Sequence, residues 1–223
     1  MFDTPWVAAL TAQISQELQN NFHWINEVRS SRNEKTKMLD YACGNGVVSR
    51  ALASRIQTAR GIDISSGMAK QYDLVARESS FSHEKMHAIQ GDLLDAAATP
   101  SPELDSEEYK KFDFAIMSLA LHHVDHVDGM IRRLAERLDE GGVLVIVDWV
   151  DGSEGSKRAA QMGHTHHGHG ANHMGFKEQD LRERFEKAGL GNWGWRLFGE
   201  PSRVPGAVGG TQQGFLARGT KGK

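Results

Sequence analysis

The feature that most constrains the fold is the alternation of short apolar runs with helical segments between residues 38 and 150. The apolar runs have the length of strands, and the segments between them place apolar residues at helical spacing. Strands that alternate with helices form a parallel sheet whose two faces the helices cover. We therefore predict an α/β protein, with strands at 38–42, 59–64, 87–90, 112–117 and 143–150 and helices at 46–57, 67–79 and 127–138.

The chain continues on both sides of this alternating region. A predicted amphipathic helix at 4–29 carries apolar residues at helical spacing, namely Trp6, Leu10, Ile14, Leu18, Phe22 and Ile25. Residues 151–175 are rich in Gly, Ser and His and predict a long loop or lid. A helix at 178–188 and two strands at 193–198 and 213–218, joined by a Gly/Pro-rich connection, complete the prediction.

Composition limits the classes of partner. With 26 basic and 29 acidic residues the net charge is -3, so we expect neither a nucleic-acid partner nor an anionic membrane surface. The single cysteine, Cys43, excludes an internal disulfide framework and fits a reducing compartment. No stretch approaches the ~18 apolar residues of a membrane-spanning helix, and no signal-peptide pattern begins the chain. We expect one soluble domain of the cytoplasm or nucleus, without membrane insertion.

Residues 39–46, with the sequence LDYACGNG, predict a strand end, a tight glycine turn and the start of a helix. Gly44 and Gly46 allow the backbone to turn sharply and to approach a ligand, which the N-terminus of the helix would face. Dinucleotides and phosphates use similar turns, and Ala42 stands where the dinucleotide fingerprint has its first glycine. The turn alone therefore predicts a nucleotide-type ligand without identifying it. Cys43 within it is expected to be a small buried residue rather than a reactive thiol.

The second predicted strand ends in an acidic residue. Asp63 lies 17 residues after Gly46, and its carboxylate would accept both hydroxyls of a ribose, with a helix N-cap as the alternative. Ile64 follows directly at the same strand end. Met68 lies one turn into the next helix, where its thioether would pack either on a base or in the core.

The third and fourth strands also end in polar residues. Gly91 and Asp92 directly follow the third predicted strand, and the Asp92 carboxylate is suited to accept a hydrogen bond from the exocyclic amine of adenine. Leu93 would add a backbone donor and an apolar cover. The fourth strand leads into Ser118 and Leu119 at its carboxyl end, which is where open α/β sheets bind ligands.

In this order and spacing, the segments resemble the motifs of the class I S-adenosylmethionine-dependent methyltransferases of the small-molecule group. The match covers roughly residues 36 to 150. Its motifs correspond to residues 39–46, Asp63, 91–93, 118–124 and 138–145. A dinucleotide oxidoreductase is the main competitor. It is disfavoured because Ala42 stands in place of its first glycine, and because that function would leave Asp92 and the Leu-His-His motif at 121–123 without a role.

The resemblance implies a Rossmann-like three-layer sandwich with a seven-stranded, mostly parallel sheet whose last strand is antiparallel. It divides the single domain into an N-terminal helical cap (1–35), a cofactor-binding core (36–150) and an acceptor-side part (151–223). The implied cofactor is S-adenosylmethionine. Its methionine end would lie over Asp40, Ala42 and Gly44, near the backbone of Ser118 or Leu119, with Asp40 acting through the cofactor amine.

Histidines are the candidates for acid–base chemistry. His122 and His123 follow the fourth strand, where one of them would orient or deprotonate an acceptor, and a hydrogen bond within the loop is the alternative. Five of the 11 histidines, His167 among them, lie between His164 and His173. This segment has three possible roles, which are an acceptor-site lid, a solvated loop and a metal site. The metal ranks last because no Cys accompanies the histidines and the glycines leave them unorganised.

The expected activity is methyl transfer to a small organic acceptor through an oxygen, nitrogen or sulfur nucleophile. A protein or nucleic-acid methyltransferase and a non-catalytic cofactor-binding subunit are the alternatives. The stretch 118–121 occupies the place of an Asn/Asp-Pro-Pro-Tyr-like motif, which disfavours methylation of base amino groups. Asp148 and Trp149 either line the acceptor pocket or end the fifth strand. A protein partner or a homodimer stays open.

Overall fold

The computed structural model describes residues 4–26, 36–95, 101–152, 175–205 and 210–222. The helices in these ranges are α1 (Pro5–Ile25), α2 (Val47–Ala51), α3 (Ser66–Glu78), α4 (Val127–Arg137) and α5 (Glu178–Lys187). The strands are β1 (Lys37–Tyr41), β2 (Thr58–Asp63), β3 (Met86–Gln90), β4 (Phe112–Ser118), β5 (Leu138–Trp149), β6 (Leu190–Leu197), β7 (Ser202–Val204), β8 (Gly210–Gln212) and β9 (Gly214–Lys221).

Seven strands form one sheet in the order β3-β2-β1-β4-β5-β9-β6. The pairs from β3 to β5 are parallel, whereas β9 runs antiparallel to both of its neighbours, β5 and β6. The predicted Rossmann-like sheet with an antiparallel last strand is therefore confirmed. The strand order reverses between β1 and β4, and such a switch point opens a crevice at the carboxyl ends of the strands.

Apolar side chains cover both faces of the sheet. Successive strand residues point to opposite faces, so Met38 belongs to one apolar cluster and Leu39 to the other. Helices α1, α2 and α3 contribute to the first cluster, and α4 and α5 contribute to the second. These two clusters give the three layers that the alternation of strands and helices predicts.

Helix α2 is shorter than predicted, because it ends at Ala51 rather than at residue 57. Beyond it, the Lys85 ammonium donates to the carbonyl oxygens of Ala53, at 2.9 Å, and of Ile56. Carbonyl groups that have left a helix need partners of this kind. Ile56 is nevertheless buried, which explains why apolar spacing alone extends the predicted helix too far.

Two further segments differ from the prediction. Strand β5 starts at Leu138 rather than at 143, and a Cβ on Gly142 would lie 2.7 Å from the Phe112 carbonyl oxygen, so glycine allows this close approach to β4. The predicted Gly/Pro-rich connection near the end of the chain contains the paired strands β7 and β8. Both features depend on contacts with distant parts of the chain.

Helix α1 packs on the sheet through Leu10, Ile14, Leu18, Phe22 and Ile25, all of which are buried. Hydrogen bonds fix its middle to the segment after β6. The Gln13 side chain donates to the Glu200 carbonyl at 2.6 Å and accepts from the Ser202 hydroxyl at 2.7 Å, while the Glu17 carboxylate accepts from the Gly199 N–H at 2.8 Å. In the described part of the chain, no helix has the length and apolar character needed to cross a bilayer.

Candidate active site

The turn after β1 contains three residues with left-handed backbone. The φ angles are 56° at Ala42, 52° at Gly44 and 80° at Gly46. A Cβ built on Gly46 would lie 2.8 Å from the Tyr72 ring, whereas one on Gly44 would meet nothing within 4 Å. Gly46 is therefore needed for packing as well as for its backbone angles, and Gly44 leaves an open surface. Ala42 adopts the same conformation with a side chain, at a cost of roughly 1–2 kcal/mol.

Asp63 holds this turn against the end of β2. Its Oδ2 accepts from the Gly44 N–H at 2.9 Å and its Oδ1 from the Ser65 N–H at 2.9 Å. The N-cap of α3 is Ser65, whose side chain accepts from the Met68 N–H. Asp63 therefore lies beside the glycine turn, as its place in the sequence predicts, and is not the helix N-cap.

Asp40 is buried below the turn. Its Oδ2 accepts from the Ser49 hydroxyl at 2.7 Å and from the Ser49 N–H at 3.2 Å, which joins β1 to the first turn of α2. Burial raises the pKa of Asp40 to about 7, because the two hydrogen bonds from Ser49 offset only part of the loss of hydration. The carboxyl group therefore changes its charge near neutral pH.

A cavity of about 280 Å³, here called the cap cavity, lies between α1 and the glycine turn. Its α1 side is mostly apolar, and its opposite side contains Asp40 and the end of β4. Leu119, at that end, also has a left-handed φ of 49°. The lining residues are Trp6, Val7, Leu10, Thr11, Ile14, Asp40, 42–45, Val47, Val48 and 118–120.

A second cavity of about 490 Å³, here called the α4 cavity, lies towards that helix. Ala42 and Ala120 line both cavities, so the two spaces adjoin at the switch between β1 and β4. A single elongated ligand over Ala42 and Ala120 would reach into both. The lining residues are Tyr41, Ala42, Ile64, Asp92, Leu94, Met117, Ala120, 123–126 and Met130.

The structure brings most of the predicted cofactor residues to these two cavities. Asp40, Ala42, Gly44, Ser118 and Leu119 line the cap cavity, and Ile64 and Asp92 line the α4 cavity.

Five predicted cofactor residues lie outside both linings: Gly46, Asp63, Met68, Gly91 and Leu93. The first two form or hold the glycine turn. Gly91 packs against Leu104, which would lie 2.9 Å from a Cβ built there. Met68 is partly buried one turn into α3.

The third strand end differs from its prediction in one residue. The Leu93 N–H donates to the Tyr41 hydroxyl at 3.2 Å, and the Leu93 side chain is buried in the core. Leu94 is instead 37% exposed and lines the α4 cavity. Asp92 accepts from the Leu94 N–H at 2.8 Å and from the Tyr41 hydroxyl at 3.4 Å. The sequence interpretation gave Tyr41 and Leu94 no role, although Tyr41 lies within the 39–46 motif and Leu94 directly follows the 91–93 motif.

The two adjacent histidines have different surroundings. The Nδ1 of His122 lies 2.6 Å from Asp148 Oδ1, and the His122 N–H donates to Asp148 Oδ2 at 3.1 Å. Asp148 is fully buried near the end of β5 and also accepts from the Trp149 N–H. His123 lines the α4 cavity, with its ring centroid 4.1 Å from that of His122. Asp148 thus orients His122, a role that neither sequence interpretation of Asp148 included.

Two sequence interpretations concern metal binding and thiol chemistry. His167 and the whole segment 164–173 lie outside the described residues. Across the described ranges, no group of three or more His, Cys, Asp or Glu side chains has an arrangement that would hold a metal ion. Cys43 is buried, as predicted, and burial raises the pKa of its thiol well above the ordinary value. A neutral thiol packed beside the turn is a poor nucleophile.

Comparison with known proteins agrees with this arrangement. The sequence profile of a family described as "Methyltransferase domain" matches residues 11–193. An uncharacterized methyltransferase of Schizosaccharomyces pombe is 27% identical over 161 residues, which are 70% of this chain and 53% of that protein. The ubiquinone biosynthesis O-methyltransferase of Bordetella avium is 27% identical over 120 residues, 53% of this chain and 44% of that protein. The chain spans about half the length of these curated relatives.

Solved structures share the fold. The magnesium protoporphyrin IX methyltransferase of Synechocystis PCC 6803, solved with bound S-adenosylhomocysteine, superposes with a TM-score of 0.64. The two sequences are 18% identical, and the alignment covers 94% of this chain and 84% of that chain. At this level of identity the likeness concerns the fold alone.

Proposed function

We propose that this chain, which belongs to the methyltransferase domain family, transfers a methyl group from S-adenosylmethionine to a small organic molecule. The cofactor and the methyl transfer follow from the family. The acceptor class rests on one observation, which is that α1 covers the glycine turn and leaves a cap cavity of about 280 Å³. A polypeptide or nucleic-acid acceptor needs a longer groove, whereas small ligands bind in concave sites of this kind.

Two further observations support a small acceptor. The relative from Bordetella avium is named for ubiquinone biosynthesis and the Synechocystis protein for magnesium protoporphyrin IX, and both names refer to small organic compounds. The net charge of -3 also disfavours a nucleic-acid acceptor, which would need a basic surface.

The residues present fit the cofactor. The open surface at Gly44 allows a ligand to approach the backbone, and the adjoining cavities suit an elongated molecule. Bound S-adenosylmethionine supplies a methyl group on a positively charged sulfonium, which is the electrophile of the reaction. In this proposal Asp40 faces the amine end, Asp63 the ribose, and Asp92 with Ile64 the adenine.

Proton transfer places a limit on the acceptor. Among the described residues that line the cap cavity there is no histidine, lysine or arginine. A neutral amine, or a nucleophile that is already ionised, needs only alignment and the exclusion of water. His122, His123 and His167 stay candidates to take a proton from a less acidic methyl acceptor, although neither His122 nor His123 lines the cap cavity. His122 would act as part of its pair with Asp148.

Two measurements test the proposal. Calorimetry with S-adenosylmethionine and S-adenosylhomocysteine should show binding of both. Formation of S-adenosylhomocysteine should then be followed across a panel of phenols, amines, thiols and peptides, with turnover expected only for small molecules. Turnover confined to peptides would favour a protein methyltransferase. Cofactor binding without turnover on any acceptor would favour a non-catalytic subunit.

A further inference from the structure

Large apolar side chains that remain exposed are concentrated around the two cavities. In the described ranges there are five of them, Trp6, Ile64, Leu74, Leu94 and Leu197. Trp6 lines the cap cavity, and Ile64 and Leu94 line the α4 cavity. Apolar surface left uncovered at the rim of a concave site indicates contact with a ligand.

Trp6 is the uncovered end of an otherwise buried row. Leu10, Ile14 and Leu18 follow it at intervals of one helical turn and are at most 9% exposed, because they pack on the sheet. Trp6 is 36% exposed and extends the same row beyond the core, over the cap cavity. Its indole therefore offers an apolar planar surface that the described protein core does not cover.

The charges around the cap cavity limit what this surface contacts. The described lining contains no cationic side chain, and Asp40 is its only carboxyl group. An acceptor that carries a carboxylate or phosphate would lose hydration there without gaining a cationic partner from the described lining. An uncharged ring would lose little hydration and would gain contact with the indole.

We propose that Trp6 is the specificity-determining residue of the acceptor site and that it selects an uncharged aromatic acceptor. This inference rests on the proposed function, because it assigns the Asp40 side of the cap cavity to the cofactor and the Trp6 side to the acceptor. Trp6 positions the acceptor ring and takes no part in bond making.

The test uses the full chain saturated with S-adenosylhomocysteine and two matched probes, 2-naphthol and 2-naphthoate. Calorimetry should show that the uncharged probe binds at least about tenfold more tightly than the anion. Trp6→Ala should weaken 2-naphthol binding about tenfold, and Trp6→Phe should retain most of the affinity. Both variants should bind S-adenosylhomocysteine as the unmodified chain does.

Leu197→Ala is the matched control, since Leu197 is 54% exposed and lines neither cavity. It should change neither affinity. Equal binding of the two probes, no binding of 2-naphthol, or unchanged binding to Trp6→Ala would overturn the assignment of Trp6. Failure of the unmodified chain to bind S-adenosylhomocysteine would instead reject the proposed function, so the two failures are distinguishable.

Discussion

The two cavities at the carboxyl edge of the sheet are built in different ways. The α4 cavity is lined by strand ends, by the loops that directly follow them, and by α4. The cap cavity needs α1, whose lining residues lie far along the chain from Ser118 to Ala120 on the opposite wall. The comparison teaches that the α4 side consists of strand ends whose meeting the alternating sequence pattern predicts. The cap side also needs the docking of α1, which that pattern does not determine.

The largest expected effect lies on the cap side and concerns Asp40. Its folded-state pKa of about 7 exceeds the ordinary 3.8, so the folded protein binds the proton more tightly than the unfolded chain does. The stability that this proton contributes is complete below about pH 4 and is lost as pH rises through 7. Asp40→Asn keeps an acceptor for Ser49 without the charge. By pH 8 it should gain roughly 4 kcal/mol over the unmodified chain, relative to their difference at pH 4.

Denaturant unfolding of both proteins at several pH values between 4 and 8 measures this gain. Stability curves that stay parallel over that range would contradict the assigned titration. They would also show that the Asp40 carboxyl on the cap side does not change its charge near neutral pH.

The second effect lies in the second apolar layer, on the other face of the sheet from α1. Asp148→Ala leaves the buried backbone N–H and ring of His122 without their carboxylate partner, so unfolding should require about 3 kcal/mol less. Equilibrium denaturation measures the loss. Asp151→Ala, three residues further along and exposed, should remain within about 0.5 kcal/mol of the unmodified chain. A loss from Asp148→Ala that is as small as the one expected of the control would show that the His122–Asp148 pair contributes little to the stability of the fold.

The third effect concerns the turn that separates the two cavities. Asp63→Ala removes the carboxylate that binds the Gly44 N–H and that is assigned to the ribose. S-adenosylhomocysteine should therefore bind about 2 kcal/mol less tightly, roughly a 30-fold change by calorimetry. Asp180→Ala on the exposed face of α5 is the control and should not change the affinity. An unchanged affinity for Asp63→Ala would reject the ribose role.

The smallest effect concerns Ala42, which lines both cavities. Its φ of 56° suits glycine, so Ala42→Gly should stabilise the fold by about 0.5–1 kcal/mol. The same change at Ala69, within α3, should instead destabilise the fold by about 1 kcal/mol or more. Thermal unfolding of the two variants would show shifts of opposite sign. A loss of stability in Ala42→Gly would mean that packing of the Ala42 methyl group stabilises the fold by more than the left-handed backbone conformation destabilises it.

The two cavities also differ in how well sequence predicts them. Asp40, Asp63 and Asp92 each follow an apolar run, and the parallel sheet brings such strand ends together, so local pattern was enough to place them. The same reasoning chose Leu93 as an apolar cover for adenine, because the pattern does not show which of the two adjacent leucines has its side chain in the core.

The long-range contacts could not be predicted from the sequence. His122 and Asp148 are separated by 26 residues and meet because β4 pairs with β5. The pairing of β7 with β8 lies in a segment that the sequence predicts only as a connection rich in Gly and Pro. Trp6 continues a helical row, but the spacing does not show that Trp6 stays 36% exposed while Leu10 is buried. None of these features has a local sequence pattern.

The hydrogen bonds between α1 and residues 199–202 have a consequence for the order in which the protein is made. Helix α1 leaves the ribosome before the rest of the described fold, yet Glu200, whose carbonyl holds Gln13, is synthesised 187 positions later. The strands that form the sheet edge with the glycine turn, Asp63 and Asp92 have all been synthesised once the chain reaches residue 149. In a nascent chain, the strands that carry the proposed cofactor residues are therefore present well before the hydrogen bonds that hold α1 over the proposed acceptor site can form.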